Sequence, residues 1–272
     1  MLPREEYVEQ SHFFEQLGKY LNRNIAMQEA LIHIRHELLA TTKLPIAVDL
    51  LLAELKHGGS ISPAMKRLSH YFSPFQIYVI AEAEEERGRF EFGIALEILH
   101  KEAQYRSGEI SQMGLFFYEF EAICRNRLKY EKGLTAMAKD PTFPEEWQKW
   151  ILLVRREVGL IELAELVYRE SAFHEGRKAA DTKDDSTEPL FGEREGKIAK
   201  ACRQKDPLHL FSALQRQLAY PTVPRPKPVD NKAEIITQLL RRLDRVEARV
   251  KLLEEEGQTG MIDLAKFYGP QG

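Results

Sequence analysis

The sequence predicts an all-α protein: an antiparallel helical bundle, a shortened second helical repeat, then a linker and a C-terminal coiled-coil-like helix. Three observations predict it. Through about residue 175 the apolar residues recur at helical spacing, with little of the period-two alternation that marks strands. The stretch FSPFQIYVIAEAEEERGRFEFGIAL from Phe72 lies on FPEEWQKWILLVRREVGLIELAEL from Phe143 at a constant offset of 71, which sets Phe72 on Phe143, Glu86 on Glu157, Gly88 on Gly159 and Glu91 on Glu162. FFEQLGKYLNRNIAMQEALIHI from Phe13 lies on FFYEFEAICRNRLKYEKGLTAM from Phe116 at an offset of 103. Phe13, Phe14 and Leu31 recur there as Phe116, Phe117 and Leu134, and Leu17, Tyr20 and Ile25 meet Phe120, Ile123 and Leu128. Internal repetition of this kind sets the architecture before any local motif does. The offsets differ by 32, so copy two lacks the segment after Ile34 that carries HGGSISPAM.

A first helix is expected over about Val8 to Leu21, because Phe13, Phe14, Leu17, Tyr20 and Leu21 share one broad face. A second runs from about Ala26 to Thr41 and buries Ala30, Leu31, Ile34 and Leu38. A third, about Leu44 to Lys56, turns Ile46, Leu50, Leu51 and Leu55 inward and stops at Gly58-Gly59. Ser62 is the N-cap candidate of a short helix with Pro63 at its first position, followed by Met65, Leu68 and Tyr71. Pro74 opens a long helix ending near Gly88, and Phe90 to Tyr105 closes the bundle. Copy one thus spans residues 1–110, and the shortened copy two, 111–175, is expected to pack on it.

Residues 176–230 read as a linker. AADTKDDSTEPLFGEREGK is charged and poor in large apolar residues, Leu208 to Tyr220 form a short amphipathic helix, and four prolines from Pro221 to Pro228 predict an extended spacer. Beyond it Ile236, Leu239, Leu243, Val246, Val250 and Leu253 follow a heptad seam over residues 231–256. Arg242 and Arg249 at g would face Glu247 and Glu254 at e of a parallel partner, so this helix is expected either to make a homodimer or to dock on its own bundle. Residues 257–272 read as a flexible tail.

Composition excludes several function classes. A net charge of −3 supplies no global basic field to draw the chain onto nucleic acid. Cys124 and Cys202 are too few for a disulfide framework or a four-thiolate metal site, and a reducing compartment fits them. MLPREEYVEQ lacks the order of a signal peptide, and no window approaches the roughly 18 apolar residues that span a bilayer. The expectation is a cytoplasmic protein without membrane insertion.

Chemical motifs are weak. His33 and His36 in HIRHE are three apart with Glu37 outside them, whereas zinc proteases set two histidines four apart around a glutamate. A metal-dependent helical hydrolase using this pair is the alternative function; a third ligand would have to come from His57 or His70. The acidic run AEAEEERG reads as a solvated or partner-facing surface rather than a catalytic pair. GGSIS lacks the lysine and the strand of a phosphate loop, Cys124 reads as a packed residue, and GKIAKACRQK as a solubilised flank.

The stretch from Phe13 to Tyr105 resembles the cytoplasmic helical domain of the type II secretion system F family, the inner-membrane platform proteins of type II secretion and type IV pilus machines. FFEQLGKYLNRNIAMQEALIHI holds the place of the family's first two helices. HGGSISPAM supplies Gly59, Ser60, Ile61, Ser62, Ala64 and Met65 where the family has a Gly, a Ser-Leu-Ser-like restart and an Ala-Leu pair. Phe72, Ser73 and Pro74 match a Phe-Pro-like helix start, and Glu85 and Gly88 match the Gly-Glu-x-x-Gly-x-Leu turn. Glu84 stands where the family's first Gly would be, copy two keeps only Gly159 of that turn, and the family's transmembrane helices have no counterpart here.

The resemblance implies a protein-binding role, with a secretion-type ATPase or platform subunit as partner. The expected function is a non-enzymatic soluble helical adaptor or scaffold without catalytic residue, cofactor or resident metal. Its expected partner-binding residues are Gly59, Ser60, Ser62, Glu85, Glu86, Gly88 and Phe90, on copy one.

Overall fold

Twelve helices occur among the described residues of the computed structural model, which are 2–85, 90–174 and 188–226. In copy one they are α1 (Arg4–Asn22), α2 (Met27–Glu37), α3 (Leu44–Gly58), α4 (Ser62–Arg67), α5 (Pro74–Ala83) and α6 (Phe92–Arg106). In copy two they are α7 (Gln112–Arg125), α8 (Tyr130–Ala138), α9 (Glu145–Glu157) and α10 (Leu163–Arg169), and α11 (Glu193–Ala201) and α12 (Pro207–Leu218) follow. There is no strand among these residues, and none of these helices is long and apolar enough to cross a membrane. The chain is an all-α bundle.

The repeat is present in the backbone. Arg125 ends α7 and Tyr130 starts α8 at the same offset of 103 from Asn22 and Met27, while Glu145 and Leu163 start α9 and α10 at the offset of 71 from Pro74 and Phe92. The turn between the first two helices of each copy is also the same. Asn24 takes φ +60° and Arg127 takes φ +54°, and each turn closes with paired amide bonds. Ile25 N donates to the Tyr20 carbonyl at 3.2 Å, and Leu128 N to the Ile123 carbonyl at 3.0 Å.

The copies diverge where one side chain changed. In copy one α1 packs on α6 at Gly18, where a Cβ would make an ordinary contact with that of Leu96 at 3.8 Å. The matching position in copy two is Glu121, a buried carboxylate that needs donors. It pairs with Arg125 and accepts the Tyr220 hydroxyl at 2.8 Å. The helix α10 has seven residues where α6 has fifteen, and α12 covers α7 instead, with Phe211 set 6.0 Å from Phe120.

Copy two packs on copy one along two seams. The Tyr78 hydroxyl of α5 donates to the Lys129 carbonyl at 3.0 Å, and Gly133 of α8 leaves room for the Tyr78 ring, 3.1 Å from where a Cβ would stand. The second seam is polar. Arg106 of α6 donates to Glu102 of its own helix, to Glu119 of α7 and, in the α8–α9 connection, to Asp140 and Thr142.

Several expectations need correction. The second helix stops at Glu37 rather than Thr41, because Leu38 turns extended and the α1 carboxylates catch the connection: Glu9 accepts Leu39 N at 3.1 Å and Glu6 accepts Lys43 N at 2.9 Å. Ile46 is 68% exposed and Leu50 only half-buried; Ala47 and Val48 take the inner face of α3. Ser62 is not a side-chain cap but the first residue of α4. The carboxylate of Glu84 does the capping, accepting Ile61 N at 2.6 Å and Ser62 N at 3.0 Å. The reciprocal cap with sequence-visible chemistry lies at α5, where Ser73 Oγ accepts Gln76 N and Gln76 Oε1 accepts Ser73 N, both at 3.1 Å. α5 stops at Ala83, short of Gly88.

The described part of the expected linker belongs to the bundle. Phe191 is fully buried against Trp147 and Trp150, with ring centroids 5.3 and 5.0 Å away. Tyr220 and Val223 are buried, and the Pro224 carbonyl accepts Asn126 Nδ2 at 3.1 Å, which straps the proline run onto the end of α7 as far as Pro224. A few well-placed aromatics in charged text were enough to dock it. The six heptad positions from Ile236 to Leu253, and the tail after them, lie outside the described residues.

Candidate interaction groove

Two of the partner-binding residues expected on copy one, Ser62 and Glu85, are engaged with other residues of the fold. Gly59 takes φ +71° to end α3, and the chain then returns past Ser60 so that Glu84 can hold Ile61 and Ser62. Glu85 pairs with Lys129, which holds its carboxyl below the usual range, and Lys129 also reaches Glu82 at 3.6 Å. Of the acidic run expected to form a solvated or partner-facing surface, Glu84 thus caps α4 while Glu82 and Glu85 hold Lys129. Phe90 is half-buried against the core, while Glu86 and Gly88 lie outside the described residues. Ile61 and Ser62 meet Glu84 directly, whereas Glu85 turns to Lys129.

His33 and His36 are both exposed. The ring of His33 stacks on Tyr20 and lies 3.7 Å from Glu29. No group of three or more metal-ligating side chains is gathered among the described residues, so the hydrolase alternative finds no third ligand there. The basic run from Gly196 to Lys205 does not flank the protein as free charge. Lys197 lies 5.4 Å from the Phe173 ring centroid, and Arg203 sits 3.9 Å over Tyr168 while reaching Glu165 at 2.7 Å.

On copy two an apolar groove of about 630 Å³ runs between the end of α7, the start of α8, the α9–α10 bend and the start of α12. Phe120 and Cys124 form one wall with Tyr130, Val158 to Leu163 the bend, and Pro207, Leu208 and Phe211 the other wall. Gly159 takes φ +96°, a conformation that L side chains rarely adopt, and so turns the chain out of α9. Both Leu160 N and Ile161 N donate to the Glu157 carbonyl at 2.9 Å, which fixes the bend. Leu160 is left 84% exposed at the rim, with Leu208 and Tyr130 at 44% and 42%.

The charged side chains at the edge make contacts within the fold. Glu162 accepts Gln204 N at 2.8 Å, Asp206 accepts Leu208 N at 2.8 Å as the cap of α12, and Arg125 pairs with Glu121. Burial pushes the Cys124 thiol up to about 11, which marks a packed residue rather than a nucleophile.

Family models, curated proteins and solved structures give no match to the chain.

The groove therefore has to be read from its own residues. At the offset of 71 its bend is the counterpart of the copy-one turn: Gly159 for Gly88, Ile161 for Phe90 and Glu162 for Glu91. Sequence reasoning placed binding on copy one because copy two had lost the Gly-Glu pair of that turn. The signal that pointed the other way was Leu160, which puts an apolar residue where copy one has Arg89. A cleft with apolar walls suits a row of apolar side chains, such as one face of an amphipathic helix.

Proposed function

We propose that the chain is a non-enzymatic helical adaptor of the cytoplasm that binds other proteins through the copy-two groove. The observation that carries this reading is Leu160, a large apolar side chain 84% exposed on a fixed bend beside an apolar cleft. Exposed apolar surface concentrated at a groove is characteristic of interaction sites. The likeness of residues 13–105 to the F-family cytoplasmic domain, whose role is to contact a secretion ATPase and neighbouring platform subunits, supports the same reading. The turn of Glu85 and Phe90 with Gly59 to Ser62 is the related surface of copy one, and the heptad seam from Ile236 to Leu253 supplies self-association.

The test compares proteins retained by the intact chain with those retained by Leu160→Asp and Leu208→Asp. A partner lost from both variants, with the helical circular dichroism unchanged, supports the groove. An identical set of retained proteins for all three chains refutes it.

A further inference from the structure

We propose that the chain carries a pH-sensitive joint between its two copies, in which Glu119 holds a proton on Oε2 while the fold is intact. One guanidinium there faces three carboxyl groups, and all four side chains are buried: Arg106 and Glu102 of α6, Glu119 of α7, and Asp140 of the α8–α9 connection. If every carboxyl were ionised, the cluster would keep two uncompensated negative charges out of water. Desolvation on that scale is relieved by neutralising a group.

The donors decide which group. Glu102 accepts from Arg106 Nε, from Gln76 Nε2 at 2.7 Å and from Ser73 Oγ at 3.5 Å. Asp140 accepts from Arg106 Nη2 at 2.6 Å and from Thr142 N at 2.8 Å. Glu119 accepts from Arg106 Nη2 at 3.0 Å through Oε1, while its Oε2 is buried with no hydrogen-bond partner among the described residues. A proton on Oε2 removes negative charge where it is least compensated.

The charged groups set against Glu119 are Arg106 and Glu102 of α6 and Asp140 of the connection. Burial pushes the Glu119 carboxyl well above the ordinary range against the pull of Arg106, and Asp140 and Glu102 push it the same way. Burial raises Glu102 as well, opposed by Arg106 and Gln76.

The sign follows from linkage. The folded chain keeps a proton that the unfolded chain releases above the ordinary glutamate pKa of about 4.3. The stabilisation is complete below that pH and is lost as pH rises through the raised folded value. Once released, the proton leaves two net negative charges between α6 and α7, and the seam between the copies loosens.

Urea unfolding of the intact chain and of Glu119→Gln, followed by the emission of Trp147 and Trp150, tests this across neutral and mildly alkaline pH. These are the only tryptophans in the chain, and both are buried in copy two. The folding constant of the intact chain is expected to fall with pH up to about tenfold per unit more steeply than that of the variant. The infrared spectrum of the intact folded chain at neutral pH is expected to show the carbonyl stretch of a protonated carboxyl, absent from Glu119→Gln. Coincident pH profiles overturn the proposal, as does a carboxyl band that survives the substitution. The spectrum of the intact chain stands independently of how the variant folds: without a protonated-carboxyl band there, the proposal is overturned.

Discussion

Replacing Arg106 by Met tests the polar seam directly. Arg106 is buried and donates to Glu102, Glu119, Asp140 and Thr142, so among the described residues it is the cation that compensates three carboxyl groups from α6, α7 and the α8–α9 connection. Methionine fills a similar volume but leaves those carboxyls without a counter-charge. Removing one partner of a buried pair costs about 3 to 5 kcal/mol. For a domain of this size each kcal/mol lowers the unfolding midpoint by about 2 to 4 °C, so the variant is expected to melt about 6 to 20 °C below the intact chain. Urea unfolding followed by Trp147 and Trp150 emission gives the free energy, and a thermal scan by circular dichroism gives the midpoint. Arg35→Met is the control, because Arg35 and Asp49 form an exposed pair, and its effect should be far smaller. If Arg106→Met unfolds no more readily than this control, the cluster does not depend on its guanidinium and the reasoning fails.

At Gly133, a valine would drive its side chain into Ile123 and Tyr78, and such overpacking is expected to destabilise by about 1 to 3 kcal/mol in the same urea assay. Glu84→Ala leaves the amides of Ile61 and Ser62 without their acceptor, with an expected loss of about 1 to 3 kcal/mol; an unchanged urea midpoint would remove the capping role. Burial pushes Asp140 up, but the charge and hydrogen bonds of Arg106, with those of Thr142, hold it below the usual carboxylate range. Its contribution is therefore complete above the ordinary aspartate pKa of about 3.9 and is lost as pH falls through the lowered value, so Asp140→Asn should flatten the acid limb of a stability–pH curve. For the heptad seam, light scattering of the intact chain is expected to show a dimer that Leu243→Asp with Val246→Asp converts to a monomer. A monomeric intact chain ends that proposal.

The repeat was legible because packing constrains it: Phe13 and Phe116, Phe14 and Phe117, and Leu31 and Leu134 are all buried at matching places. The positive-φ turn at Arg127 was not legible, since arginine seldom takes that conformation; its counterpart Asn24 is of a type that enters it more readily. Ile46 misled for a related reason. A helix presents its apolar residues to whichever neighbour exists, and the inner face of α3 was set by small Ala47 and by Val48.

The sequence by itself determined the fold class, the duplication and the approximate places of the helices in the two copies, because local periodicity and the need to bury apolar side chains act on residues close together in the chain. Only the tertiary structure decided where the polar groups and the exposed leucine lie. Arg106, Glu119 and Asp140 come from three separate elements, and nothing in their spacing announces that they meet. The groove likewise lies where α12 packs on α7 beside the α9–α10 bend, and on that helix Glu121, at the place of Gly18 in copy one, takes the Tyr220 hydroxyl from beyond α12. That pairing follows from what a buried carboxylate needs and from which distant segment can reach it.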